Sequence, residues 1–433
     1  MHVLLRITKL ATLSPGRMVI AWVTLLLSTA LFLAVPWLIG EAIDQALPRE
    51  GAAAPEIGLP FFADLSQTQV LVALGGLVIV AVALRGIFTF VNLYLAEAIS
   101  QRVSYHIRNL LYDKLQHLSF AFHDREHTGN LMSKATVDVE MMRMFVSMGL
   151  IRSGQIVTLV IGAAIMMLLI DWMLGLIGLL FVPLIAFRAI IASTRLRMLW
   201  RKAQIEMGRM TTVLQENLSG QRVVKAFGAE AYEEAKFAER NQDVFDWTFS
   251  ARRHQAINSS IMQFIFWGST GLILWVGGYA VMNDRISIGE LGSFIFYTSL
   301  LVQPVRMVGF LVNTFARAIS AGERLFDVLD APSPVQERDD AKVLKDVRGH
   351  VTFDDVTFSY GDRPALHGVS LDVPPGQVVA LLGAPGSGKS TLASMLARFY
   401  DVTGGSVRLD GIDVRDITLS SLRSAVGIVQ QDV

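Results

Sequence analysis

Six stretches of about 20 or more largely apolar residues set the terms for this chain: Met18–Ile43, Val70–Tyr94, Phe145–Ile170, Trp172–Ala192, Ile261–Met282 and Leu291–Val312. In hydrocarbon every backbone N–H and C=O must be satisfied internally, so segments of this length and polarity are expected to form spanning helices. The bulk figures agree: 52% of residues are apolar and 18% charged, and mean hydropathy is +0.46, all displaced from the averages of soluble domains. The first stretch is longer than a signal-peptide core and lacks a small-residue cleavage site, which predicts a retained helix. Cysteine is absent from the sequence, which excludes disulfides and thiolate metal centres.

The connections between the stretches are unequal. Spans three and four are separated by little more than Asp171-Trp172, and spans five and six by Asn283–Gly289. Ala96–Arg143 and Arg195–Arg253 are instead long, polar and helical in pattern. The first carries Arg102, Arg108, Lys114, Arg125, Lys134 and Arg143; the second includes Arg195, Arg201, Lys202, Arg209, Arg222 and Lys225. The segments on the opposite side carry Arg49 and Arg285 alone. The excess of Lys and Arg predicts that both termini and both long connections are cytoplasmic. Residues 1–17, with Arg6, Lys9 and Arg17 among Leu4, Leu5 and Ile7, read as an amphipathic helix in the interface; a merely charged tail is the plainer alternative.

Near the C-terminal end, Gly383-Ala384-Pro385-Gly386-Ser387-Gly388-Lys389-Ser390-Thr391 matches G-x-x-x-x-G-K-[ST], a loop whose backbone N–H groups cradle nucleotide phosphates. Gln377–Leu382, short and β-branched, predicts a buried parallel strand before it, and Thr391–Tyr400 predicts a helix after it. Gly386 and Gly388 let backbone approach phosphate. Lys389 supplies a point charge for the β- and γ-phosphates, and the Ser390 hydroxyl suits Mg²⁺. A flexible glycine turn that binds nothing is the bland alternative. A phosphate loop behind six spans implies ATP energy coupled to an event in the bilayer.

Three further segments carry a family resemblance. Phe122-His123-Asp124-Arg125-Glu126-His127-Thr128-Gly129-Asn130-Leu131 resembles the first cytoplasmic coupling segment FFDRxxTGEL of ABC exporters, with His123 and Asn130 in place of Phe and Glu. Glu216–Phe227 matches ENLxGxRVVKAF near the second, and Ala321–Asp330 resembles the exit from helix six. The chain is therefore similar throughout to the half-transporters of that family. The resemblance implies an interfacial helix at 1–17, an all-α transmembrane domain at 18–330, a linker at 331–348, and the N-terminal part of an α/β P-loop nucleotide-binding domain at 349–433. It implies ATP and Mg²⁺ as cofactors, with Tyr360 stacking on adenine, Gly383, Gly386, Ser387, Gly388, Lys389, Ser390 and Thr391 holding phosphate, and Ser390 and Gln431 at the metal. By the same resemblance Gln431 stands where the family has the catalytic glutamine of its Q-loop, with Gln430 as a competing candidate.

It further implies a second half-transporter, identical or not, an amphipathic drug, lipid or peptide as cargo, and placement in the cytoplasmic membrane; no nucleic-acid partner is expected. The family pattern runs on past Val433 through its signature, a strand ending in Asp-Glu and a histidine switch, so residues 1–433 alone are expected not to hydrolyse ATP. An importer on the same fold, with siderophore-like cargo, and an ATP-regulated membrane protein that does not pump are the alternatives.

Polar groups inside the spans are candidates for lining a translocation path: Arg85 in the second span, Gln303 and Arg306 in the sixth, with Arg152, Asn92 and Asn313 nearer helix ends. Snorkelling or inter-helix hydrogen bonding accounts for them equally well. Pro304 is expected to kink helix six.

Overall fold

The structure, a computed structural model, describes residues 2–47 and 66–429, apart from the side chains of 305, 306 and 308. Arg49, Gln430 and Gln431 lie outside the described residues, as does the side chain of Arg306. Among the described residues six helices are long and apolar enough to cross a membrane. Two compact units emerge, one formed by Met1–Val103 and Met141–Ile319, the other by Ser104–Glu140 and Ser320–Val433.

The first unit is all helix. A short α1 (His2–Ala11) buries Ile7 and Ala11, and α2 (Pro15–Ala46) begins with proline in its first turn, where a missing N–H costs nothing. Helix α3 spans Gln67–His117 and leaves this unit at Val103. In the third span α5 (Thr128–Ser133), α6 (Val139–Met144) and α7 (Ser153–Ile170) form one run, interrupted by π-turns over Lys134–Asp138 and Phe145–Arg152. Asp171 then caps α8 (Trp172–Phe227), accepting from the Leu174 N–H at 2.7 Å. Gly228, at φ +60°, ends α8 in the left-handed conformation that glycine adopts freely. The Gly220–Phe227 segment is thus the last turns of a helix, and the turn itself is Gly228-Ala229. Helix α9 (Glu230–Met282) returns antiparallel to it.

Helix six is broken as Pro304 predicts. Helix α10 (Ile288–Leu300) stops at Leu301, and α11 (Val302–Leu329) restarts beyond it. Proline at 304 can neither donate to Leu300 nor clear its carbonyl. The core gathers Ala163, Met167, Leu174, Ile273, Phe294 and Tyr297. Helices α2 and α10 approach closely: a Cβ built on Gly289 would lie 1.9 Å from the Gly40 carbonyl oxygen. Pro36 opens the ladder of α2, and α10 hydroxyls take up carbonyls there, Ser293 donating to Pro36 O and Tyr297 to Leu33 O, both at 2.7 Å.

The second unit contains α4 (Phe120–Arg125) and a four-stranded antiparallel sheet. Strand β1 (Val351–Tyr360) sits between β2 (Arg363–Val373) and β3 (Gly404–Leu409), and β4 (Ile412–Asp413) completes the order β2-β1-β3-β4. Helices α12 (Lys389–Leu396) and α13 (Leu419–Ala425) pack on a core of Phe353, Val356, Leu392, Met395, Val407 and Leu422. One expectation fails here. Gln377–Leu382 is no strand, and Val378 and Leu382 are 99% and 93% exposed. A parallel strand exists only through ladder bonds to neighbours, and among the described residues no strand lies beside this segment. The sheet observed is accordingly antiparallel, not the parallel one that segment predicts. Helix α12 also begins two residues before Thr391 and ends at Leu396, because Arg398 turns to φ +50°.

Candidate nucleotide site

The phosphate loop owes its shape to two backbone requirements. Gly386 and Gly388 hold φ of +84° and +89°, a region that costs an L side chain about 1 kcal/mol or more. At Gly388 space forbids one too, since a Cβ would meet Leu366 Cδ2 at 2.8 Å and the Ala365 carbonyl at 2.9 Å. Strand β2 therefore presses directly on the residue just before α12. The helix opens at Lys389 with its first N–H groups facing the loop, an arrangement suited to an anion. Lys389 Nζ donates to the carbonyls of Gly383 and Ala384 at 2.8 and 2.9 Å and to Ser387 Oγ at 3.3 Å, which fixes its charge over the centre of the loop. Ser390 is exposed in the first turn of α12, and Thr391 beside it is buried. Loop, lysine and hydroxyl together fit a magnesium-bound polyphosphate.

Tyr360, at the end of β1, is 41% exposed. Its hydroxyl donates to Thr391 Oγ1 at 3.4 Å, so the predicted adenine-stacking ring and the phosphate loop are neighbours in space. Phe358 and Tyr400 each meet Tyr360 edge-on, with centroids 4.8 and 5.2 Å away and ring planes at 84° and 86°. Perpendicular pairs of this kind are favoured by the aromatic quadrupole.

Sequence reasoning named Asp124 within the coupling-like segment but singled out neither Tyr400 nor Arg398. Arg398, 2% exposed, binds Asp401 through Nε at 2.7 Å and Nη2 at 3.2 Å, and Nη2 also donates to Gln336 O at 2.8 Å. That grip fixes Phe399 and Tyr400 between the two ends of the turn. Phe120 of α4 stacks on Phe399 with centroids 4.2 Å apart. The Tyr400 hydroxyl donates to the Asp124 carboxylate; burial raises its pKa and the neighbouring carboxylate raises it further, so it remains a donor throughout the physiological range. A cavity of about 540 Å³ lies against these groups, bounded by Asp124, Arg125, Val335, Tyr360 and Tyr400. Phe122, on the other side of α4, packs with Leu111, Leu118 and Val328.

The polar groups of the spans separate. Asn92 is buried and donates to Ala21 O at 2.7 Å, an inter-helix bond. Arg85 lies over the Phe32 ring at 3.5 Å, a cation–π contact. Arg152 donates to Met148 Sδ at 3.2 Å. Gln303 is exposed and Asn313 half-buried. No shared polar path joins these groups among the described residues.

Residues 18–305 match the family described as ABC transporter transmembrane region, and residues 366–433 match the one described as ABC transporter. An ATP-dependent lipid A-core flippase of Syntrophus aciditrophicus is 30% identical over 432 residues, covering 100% of this chain and 69% of the relative. One of the same description from Chromohalobacter salexigens is 34% identical over 81% of this chain and 61% of its own length. An uncharacterized ABC transporter ATP-binding protein of Bacillus subtilis is 31% identical over 96% of this chain and 69% of its own.

Proposed function

Because this chain belongs to the ABC transporter family, in the half-transporter arrangement of exporter type, we propose that it couples ATP binding and hydrolysis to the outward movement of an amphipathic molecule across the cytoplasmic membrane. The observation that carries the reading is a phosphate loop, with Lys389 over its centre, in the same chain as six potential spans. Gly383, Gly386, Ser387, Gly388 and Thr391 would hold the phosphates and Tyr360 the base. Ser390 and Gln431 would serve Mg²⁺, with Gln431 also orienting the attacking water. ATP supplies the phosphoryl group, and the chain's residues bind and orient it. Two relatives carry the description lipid A-core flippase, which favours a lipid over a drug or peptide as cargo. A second half-transporter completes the machine.

The test is cargo movement and phosphate release by the intact protein in proteoliposomes, with Lys389→Ala as control. Loss of both in the variant is expected; undiminished turnover would remove the loop from the mechanism, and inward cargo movement would make the protein an importer.

A further inference from the structure

We propose that Tyr400 is a positioning residue that links base stacking on Tyr360 to the seating of α4, so that α4 contributes to nucleotide affinity without touching nucleotide. This rests on the reading of Tyr360 and the phosphate loop just given. The Tyr360 ring belongs to a three-ring cluster, perpendicular to both Phe358 and Tyr400, which themselves lie 5.4 Å apart. Phe358 is fixed by the strand it belongs to and is 5% exposed. Tyr400 touches Phe358 as well but takes further support from outside the sheet: the Arg398–Asp401 pair brackets it along the chain, and Asp124 of α4 holds its hydroxyl. The Phe120–Phe399 stack ties the same helix to the adjoining residue. If α4 moves off, Tyr400 loses its hydroxyl partner, and the support that its ring gives Tyr360 loosens. A base that stacks only on the supported ring must then strengthen α4 seating by the factor by which α4 strengthens base binding, since coupling between two sites is reciprocal.

The experiment compares binding of ATP with binding of inorganic tripolyphosphate, which has no base, by the intact protein in nanodiscs with Mg²⁺. Tyr400→Phe keeps the ring and removes the bond to Asp124. It is expected to weaken ATP about fivefold, the low end of site coupling, and to leave tripolyphosphate unchanged. Asp124→Ala should behave like Tyr400→Phe, whereas Asp124→Asn retains an acceptor oxygen and should stay near wild type, which separates positioning from misfolding. On a Tyr360→Ala background Tyr400→Phe should add nothing, because no ring is left to position. In the other direction, ATP should slow hydrogen exchange of the α4 amides more than tripolyphosphate does. Equal weakening of both ligands by Tyr400→Phe, additivity with Tyr360→Ala, or equal protection of α4 by both ligands would overturn the link. Lys389→Ala that left both ligands bound as tightly as wild type would overturn the nucleotide site itself instead.

Discussion

Asp410 shows how much one side chain can organise in the small sheet. With Gly411 it forms the two-residue turn between β3 and β4, at φ of +53° and +78°, the pairing of positive φ values that a tight hairpin requires. Its carboxylate accepts from the N–H groups of Arg348, His350 and Gly349 at 2.8, 2.9 and 3.4 Å. Burial acts to raise its pKa, but these bonds and the Arg348 charge outweigh it, and the net shift is downward. A carboxylate held below its unfolded value of about 3.9 contributes stability that is whole above that value and is lost as pH falls through the folded pKa. Exchange of the amides at 348–350 should therefore accelerate below about pH 4 in the wild type, and that acceleration should be absent in Asp410→Asn. The buried Arg398 makes a larger case. Arg398→Ala leaves Asp401, itself 28% exposed, and the Gln336 carbonyl without their partner and should cost about 1–3 kcal/mol, read as a lower denaturation midpoint of the nucleotide-binding unit. At this scale the sequence discloses what is local. The loop glycines are legible because a backbone requirement and a residue type coincide, and Tyr360 and Lys389 follow from resemblance and motif. The Tyr400–Asp124 bond joins positions 276 apart, and no periodicity or spacing announces such a pair.

At the scale of elements, the spans were legible because lipid leaves the backbone no alternative to helix. Proline 304 announced the break before α11 for a similar reason, a missing donor. The strand expected at Gln377–Leu382 failed because strand formation is not a property of a segment: its β-branched run says that it suits a ladder, and the partners decide whether one forms. The contact between α2 and α10 was likewise invisible, since Gly40 and Gly289 read as ordinary small residues until they are seen facing each other. Asp44 reinforces that contact, accepting from Gly289 N at 2.8 Å and from the Ser287 hydroxyl that caps α10, where a carboxylate also opposes the positive end of the helix. Gly289→Ala would drive a methyl group into the Gly40 carbonyl. Overpacking of this kind costs about 1–3 kcal/mol, and the variant should unfold at lower denaturant in detergent than wild type. Gly278→Ala provides the control, because nothing lies within 4 Å of a Cβ there; equal behaviour of the two variants would show that the helices are not held this closely.

At the scale of the whole molecule the outstanding matter is which end of each helix faces the cytoplasm. The charge asymmetry of the connections was legible from the sequence and predicts that the α8–α9 turn is inside and the α9–α10 turn outside. Of the two outer cations, Arg49 lies outside the described residues and Arg285 has a partner in the structure: its guanidinium pairs with Asp171, whose pKa, which burial acts to raise, is lowered overall by the Leu174 N–H and by that arginine. A cation neutralised between two tight turns weighs less against the orientation than a free one would. Helix α9 supplies the test, because its 53 residues span about 80 Å at about 1.5 Å each and so separate Tyr232 from Asn283 by more than a bilayer. Residues 1–433 contain no cysteine, so within them a single introduced thiol is the one that reacts. Both positions are exposed, Tyr232 at 70% and Asn283 in the turn. A membrane-impermeant maleimide added to right-side-out vesicles should label Asn283→Cys and spare Tyr232→Cys, and inverted vesicles should give the opposite pattern. Labelling of Tyr232→Cys from outside would place the α8–α9 turn away from cytosolic ATP and refute the orientation.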